Sequence, residues 1–374
     1  MSAHGLMLAV DAGGRCGWAI RPRNPRATTC TDVGWRAGLD IVAPMSRSPA
    51  PPLSADLPQC SSSADRIQAE PSTTPLEIMR SETFPFAERF AQDVSPLGQV
   101  AYFVGGQAGS LPDVVLLHAL GMNYTEWEAV APALAQHTRV VGIDMLGCGH
   151  SVQPSRPYGL RDIAQSVWAL SQKLGLRQPV LMGHSFGGRV AMELALREPR
   201  QIAGLMLLNS AGFIRYPALF ERLGRMVLKP RVVGTLLLAA GPVLARRIFA
   251  TATPQSDRFM SQVLGRWDSS FPYRFAQHAC PMLSDLVSDV LDRVSELNLP
   301  ISVLWGSDDL LLPYREVEPA LRRLRDVQID VLRACGHMPN LEHPEVVVDA
   351  TLRLLRRVRQ TALSPGAHAQ SPRF

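Results

Sequence analysis

The first 69 residues of this chain contain no lysine and no glutamate, and are rich in Pro, Ser, Arg and Ala. No helix or strand period persists through them. Such a segment cannot bury enough apolar surface to offset the entropy of ordering it, so residues 1–80 read as a disordered N-terminal extension. A secretion signal is a poor account of this end. The apolar run Leu6 to Val10 is short, Asp11 interrupts it, and no Lys or Arg precedes it. An Arg-containing, Glu-free leader suits a targeting segment, but Asp11, Asp32 and Asp40 count against one. A true start at Met79, just before the regular pattern begins, is another account.

The six cysteines form no C-x-x-C and no metal-ligand spacing. Cys16, Cys30 and Cys60 lie in the extension, and Cys148, Cys280 and Cys335 are scattered through the rest. They read as free thiols in a reducing compartment, so no metal site and a cytoplasmic location are expected. Apolar runs long enough to cross a bilayer are missing too. Val232 to Ala245 carries no charge, but its fourteen residues are too few, and Gly234, Gly241 and Pro242 are expected to break it. Nucleic-acid motifs do not accompany the net charge of +5, so no nucleic-acid partner is expected. That charge is uneven: residues 213–281 hold ten Lys+Arg against three acids. The oligomeric state is open.

What the sequence does have is alternation. Apolar runs at Gln99 to Val104, Val114 to Leu117, Arg139 to Ile143, Val180 onward, Ile202 to Leu208, Ile301 to Trp305 and Val327 to Leu332 read as strands. Between them, Trp127 to Leu134, Leu160 to Leu174, Gly188 to Glu198 and Glu345 to Val358 carry helical patterns. Short apolar strands alternating with helices predict a doubly wound, mostly parallel sheet of the α/β class, covered on both faces. The predicted core falls in two parts, 81–212 and 282–360. Residues 213–281 interrupt the alternation and read as an inserted helical cap, with an amphipathic helix over Tyr216 to Val227. Residues 361–374 read as a flexible tail.

Open parallel sheets hold ligands outside the carboxyl ends of their strands. Chemically capable residues fall at four such ends: His118 and Leu120, Ser185, Asp308 and Asp309, and His337. Ser185 lies in Gly183-His184-Ser185-Phe186-Gly187, a G-x-S-x-G pentapeptide between a strand and a helix. That context suits a strained turn presenting a hydroxyl. A serine hydroxyl is a weak nucleophile until a base takes its proton. Histidine can do so near neutral pH, and a carboxylate fixes the imidazole's tautomer. The order Ser, Asp, His along the chain fits this architecture. His118 and His184 each flank a backbone donor and read as structural. His278 reads as a surface or cap-lining residue.

Together these pieces resemble the α/β-hydrolase superfamily over about Ser81 to Arg359. The matching stretches are Leu117-His118-Ala119-Leu120-Gly121 with Trp127, Asp144 to Ser151, Gly183 to Gly188, Trp305-Gly306-Ser307-Asp308-Asp309 with Pro313, and Gly336-His337 with Glu342-His343-Pro344. The family usually shows His-Gly where this chain has His118-Ala119. The resemblance implies an α/β-hydrolase fold with an inserted helical cap, a triad of Ser185, Asp309 and His337, and no cofactor. The family's W-G-x-x-D pattern puts the acid on Asp309 rather than Asp308. It also implies an oxyanion hole from the backbone N–H groups of Leu120 and Phe186.

The expected function is hydrolysis of a carboxylic ester or thioester through an acyl-enzyme on Ser185. A carbon–carbon bond hydrolase with the same triad is the alternative, although such enzymes tend to carry a longer glycine-rich stretch after the first histidine. A non-catalytic hydrolase-fold receptor is a third reading. Serine at 185 argues against the dehalogenase and epoxide-hydrolase branches, which place an aspartate there. The cap suggests a small-molecule substrate with an apolar acyl chain. Its apolar stripe beside Arg222, Arg225 and Lys229 suggests peripheral membrane contact through the cap.

Overall fold

The computed structural model describes residues 7–10, 16–19, 87–94, 96–154, 158–214, 229, 231–236, 238–239, 247–265, 272, 276 and 290–363. The chain divides into two units, Met1–Ala50 and Pro51–Phe374. In the first, β1 (Met7–Val10) pairs antiparallel with β2 (Cys16–Ala19). This corrects the expectation that 1–80 holds no regular element. The sequence signal is Gly13-Gly14 between two short apolar runs, a pairing typical of hairpins. A lone two-stranded ladder is marginal by itself.

The second unit holds an eight-stranded sheet. Its strands are β3 (Ala87–Asp93), β4 (Gln99–Gly105), β5 (Val114–Leu117), β6 (Val140–Ile143), β7 (Val180–His184), β8 (Gly204–Leu208), β9 (Ile301–Gly306) and β10 (Val327–Leu332). Their order is β10-β9-β8-β7-β5-β6-β4-β3. Every pair is parallel except β3–β4 and β4–β6. The expected doubly wound, mostly parallel α/β sheet is therefore present.

The central strands are buried on both faces and alternate between two clusters. On β5, Val115 and Leu117 pack into one and Val114 and Leu116 into the other. The first face is covered by α2 (Leu160–Lys173), α3 (Phe186–Arg197) and α6 (Tyr314–Leu321), through residues such as Ile163, Val167, Val190, Leu194 and Leu321. The second is covered by α1 (Ala131–Ala135) and α8 (Pro344–Leu363), through Leu134, Val347, Leu355 and Val358. Each fully buried Val or Leu contributes about 1.5–3 kcal/mol over an exposed one.

Three local differences from the sequence pattern have physical reasons. The helix expected over Trp127 to Leu134 is split into a 3₁₀ turn, Tyr124–Trp127, and α1. Asn123 caps the first by accepting the Thr125 N–H at 2.9 Å, while Pro132 has no N–H to continue a helix from upstream. Strand β3 was not anticipated, because Glu88, Arg89, Gln92 and Asp93 hide it. It is an edge strand with Ala91 as its one buried residue, so it tolerates that charge. Gly234 does not break its segment: residues 231–236 are helical through it. The cap also contributes α4 (Pro254–Gly265). The predicted helix Tyr216 to Val227, and His278, lie outside the described residues. Between the cap and β9, α5 (Val290–Arg293) leads back to the core. The short α7 (Pro339–Glu342) precedes α8, which runs to Leu363, past the expected tail boundary.

Candidate active site

Chain order reverses beside β5, whose neighbours are β6 and β7, and the chemically capable residues gather at the carboxyl ends there. Ser185 sits between β7 and α3 at φ 51° and ψ −114°, a left-handed conformation that is strained for a residue with a side chain. The turn is held from three sides. Ser185 N–H donates to Leu208 O at 2.9 Å, and Ser185 O accepts from Gly188 N at 3.1 Å and Ala211 N at 2.9 Å. Two glycines make it possible. A Cβ on Gly183 would lie 2.5 Å from the Gly187 and Gly188 backbone, and one on Gly187 would run into the Leu117 carbonyl.

Asp309 and His337 are brought together from different strand ends. His337 Nδ1–H donates to Asp309 Oδ2 at 2.8 Å, and both residues are buried. Asp309 is the anchored acid of the pair of neighbours. Its Oδ1 accepts from Leu311 N at 2.8 Å and Leu312 N at 3.0 Å, whereas Asp308 is exposed and accepts from the Ser307 hydroxyl at 2.9 Å. Burial would raise the Asp309 carboxyl, but the His337 bond and charge, the Asn209 amide and the Leu312 N–H hold it below its ordinary value. Burial, aided by the charge of His184, pushes the His337 imidazole below its ordinary value, although Asp309 pulls it the other way. A depressed value keeps the ring neutral and able to accept a proton.

The His337 loop is clamped along its backbone. Glu342 accepts from Gly336 N (2.9 Å to Oε1) and Met338 N (3.3 Å), and also from Ala250 N (2.8 Å) and Thr251 N (2.9 Å) of the inserted segment. His337 N–H itself donates to Ile248 O at 2.6 Å.

Leu120 follows β5, and Phe186 is the first residue of α3. A helix's first N–H groups have no intrahelical acceptor, so the Phe186 amide is available to an anion. The peptide joining Ala119 to Leu120 is oriented from its other side: Ala119 O accepts from His118 Nδ1 at 2.7 Å and from Met122 N at 3.1 Å. In a trans peptide the following N–H points the opposite way. His118 Nε2 accepts from Met145 N at 3.0 Å, which fixes the Nδ1–H form of the ring and gives His118 the structural place expected of it.

Two further buried polar residues, outside any motif in the sequence, sit at this edge. Asn209, just past β8 at φ 38°, donates from Nδ2 to Asp309 Oδ2 at 2.6 Å and to Gly336 O at 3.2 Å, and accepts from Gly306 N at 3.2 Å. Its position after an apolar strand was the available signal. Glu126 accepts from Ala119 N at 3.0 Å through Oε2, and its Oε1 lies 2.6 Å from His184 Nδ1. Nothing in its helical surroundings sets it apart in sequence. His184 in turn donates from Nε2 to His337 O at 2.7 Å. Among the described residues, no group of three or more His, Cys, Asp or Glu is arranged to hold a metal ion.

This fold and this edge place the molecule in a known class. Residues 112–344 match the family described as alpha/beta hydrolase fold, and the chain belongs to that family: it is an α/β-hydrolase. The pimeloyl-[acyl-carrier protein] methyl ester esterase of Aeromonas hydrophila is 28% identical over 255 residues, covering 64% of this chain and 94% of that protein. The 2-hydroxymuconate semialdehyde hydrolase of a Pseudomonas species is 25% identical over 234 residues, covering 62% and 82%. Among solved structures, a bacterial membrane phospholipase A superposes with a TM-score of 0.59 at 25% identity, covering 73% of this chain and 87% of that one.

Proposed function

We propose that the chain hydrolyses a carboxylic ester or thioester through an acyl-enzyme on Ser185. The observation that carries this reading is the strained elbow at Ser185, whose preceding residue His184 bonds the His337 main chain, together with the buried Asp309–His337 pair bonded at 2.8 Å. His337 takes the hydroxyl proton as Ser185 Oγ attacks the acyl carbonyl. Asp309 fixes the tautomer by accepting the Nδ1–H, so Nε2 is the basic nitrogen, and it stabilises the imidazolium that forms. The tetrahedral oxyanion is received by the Leu120 and Phe186 N–H groups, where one such donor is worth about 2.7–4 kcal/mol of transition-state stabilisation. His337 then protonates the leaving oxygen or sulfur. Water, deprotonated by the same ring, releases the acid.

An acyl group with an apolar chain is suggested by the uncharged, apolar composition of Val232 to Ala245 in the inserted segment. No described helix is long and apolar enough to cross a membrane. The second reading, carbon–carbon bond hydrolysis, is favoured by the likeness to the semialdehyde hydrolase. The ester reading is favoured by the likeness to the methyl ester esterase, which covers nearly all of that protein.

Fluorophosphonate labelling tests the nucleophile. Wild type should label at Ser185, and Ser185→Ala should lose both labelling and ester turnover while keeping its melting temperature. Acetate to long-chain esters, with and without anionic vesicles, then grade the acyl preference. Undiminished labelling of the alanine protein would place the nucleophile elsewhere.

A further inference from the structure

A second buried carboxylate–histidine pair lies beside the first, and the hydrolysis proposed above gives it no role. Glu126 and His184 are both fully buried. Their side chains join three pieces of the candidate site. Glu126 Oε2 takes the N–H of Ala119 at 3.0 Å, immediately before the proposed oxyanion donor Leu120. Glu126 Oε1 meets Nδ1 of His184 at 2.6 Å, in the residue before the proposed nucleophile. His184 Nε2–H reaches the main-chain oxygen of His337 at 2.7 Å. Asn340 Nδ2 donates to the Glu126 carbonyl at 3.0 Å and approaches Oε1 at 3.5 Å, tying in α7 as well.

Proton bookkeeping constrains this network. The partner of His184 Nε2 is a carbonyl, which only accepts, so Nε2 carries a proton. Glu126 accepts the Ala119 N–H on Oε2 and faces the ring with Oε1, and a carboxylate meets both contacts as an acceptor. A carboxylate also only accepts, so Nδ1 carries a proton too. The ring is then an imidazolium.

We propose that Glu126 and His184 form a buried ion pair that positions the oxyanion loop against the nucleophile elbow and keeps His337 in its proton-accepting form. Both are positioning residues, and the second half of this role rests on the hydrolase reading above. The His184 and His337 rings stand 5.0 Å apart between centroids, so a cation at 184 opposes a second one at 337. The titratable groups acting on His184 are Glu126, from the 3₁₀ turn before α1, His337, after β10, and Asp309, after β9. Burial works against the imidazolium, but the Glu126 charge and bond, the His337 carbonyl and the Asp309 charge raise His184 above its ordinary value. His337 is depressed first by burial and then by the charge of His184, while Asp309 and Glu126 pull it the other way.

Glu126→Gln separates this role from packing. The Ala119 N–H fixes the amide oxygen on its own side, so the NH₂ must face His184 Nδ1. The ring can then only accept there and becomes neutral, while the bonds to Ala119 and His184 are kept and Asn340 retains its bond to the main-chain carbonyl of Glu126. The acid limb of kcat/KM against pH should move up because the cation at 184 is lost, and loss of the opposing Glu126 charge keeps that shift within about one unit, so turnover on that limb falls by up to about tenfold. In ¹⁵N-resolved NMR of the wild-type imidazoles at neutral pH, His184 should be protonated on both ring nitrogens, with the resonances assigned by their loss in His184→Phe. A singly protonated His184 in wild type overturns the ion pair, whether or not the glutamine variant folds. An acid limb in Glu126→Gln that superimposes on wild type overturns the effect on His337. If no ester is turned over at all, the hydrolysis reading fails instead, and the His184 resonances still decide the ion pair.

Discussion

Two histidine–carboxylate pairs lie side by side at the carboxyl edge of the sheet. In one, His337 Nδ1 meets Asp309 at 2.8 Å; in the other, His184 Nδ1 meets Glu126 at 2.6 Å. The chemical groups match, and the difference lies in the second ring nitrogen. His184 Nε2 is committed to a main-chain carbonyl. Among the described residues, His337 Nε2 meets no backbone acceptor. A ring locked at both nitrogens can hold loops in place but cannot take a proton from a substrate or nucleophile. A ring locked at one can do both. Burial lowers both rings, but neighbouring groups carry His184 above its ordinary value and leave His337 below it, along the same division.

The sharpest way to break this comparison is to remove the acid from the pair proposed for catalysis. Asp309→Asn should cut turnover by about 10⁴-fold, because the amide can no longer hold the required tautomer. Asp308→Asn, at an exposed carboxylate, should stay within about 0.5 kcal/mol of wild type in stability and near it in turnover. A larger loss at Asp308 would reverse the assignment, and steady-state kinetics on both proteins decide it.

The structural pair should fail in a different currency. His184→Phe strands the buried Glu126 charge and should cost about 3–5 kcal/mol of stability, read from urea midpoints. Its pH signature has a definite sign. His184 is raised in the folded state, so its contribution is complete below the unfolded histidine value of about 6.5 and is lost as pH rises through the folded value. Asp309 is depressed, so its contribution is present above about 3.9 and is lost as pH falls through its folded value. The double variant Glu126→Gln/His184→Phe, which strands no charge, should therefore flatten the alkaline side of the melting-temperature curve and leave the acid side in place. A steeper alkaline loss in the variant would contradict this.

The smallest of these effects concerns Asn209. Asn209→Gly keeps the positive φ and removes only the side chain that bonds Asp309 and Gly336. Losing a hydrogen bond to a charged group costs about 1.5–3 kcal/mol, or roughly tenfold to a hundredfold if it falls on turnover. The loss should appear in kcat rather than KM. An unchanged kcat would mean that Leu311 and Leu312 suffice to hold the carboxylate.

How much of this was legible from residues alone follows from the kind of signal each part leaves. The elbow was readable because close backbone approach demands glycines at fixed spacing around Ser185. The central strands were readable because burial on both faces leaves unbroken apolar runs. The resemblance to the family's W-G-x-x-D pattern at Trp305-Gly306 implied Asp309 rather than Asp308, and Asp309 is the neighbour that His337 meets. Edge strand β3 was hidden because solvent lets it carry charge. Glu126 and Asn209 were invisible for a different reason. Glu126 is 58 residues from His184, and Asn209 is 100 from Asp309. An isolated buried polar residue has no local period, and its partners exist only after the strands have assembled.

The stitching of the inserted segment to the His337 loop bears on how this fold could be re-engineered. Ile248, Ala250 and Thr251 accept from or donate to that loop and to Glu342, and the Thr253 hydroxyl donates to Leu341 O at 2.9 Å. Phe249 and Phe259 meet edge-on, within the small apolar cluster that includes Met338 and Leu341. The return leg of the insertion thus belongs mechanically to the core. A chimera that borrows another relative's lid should place its downstream junction before Ile248, so that the graft inherits the existing seam.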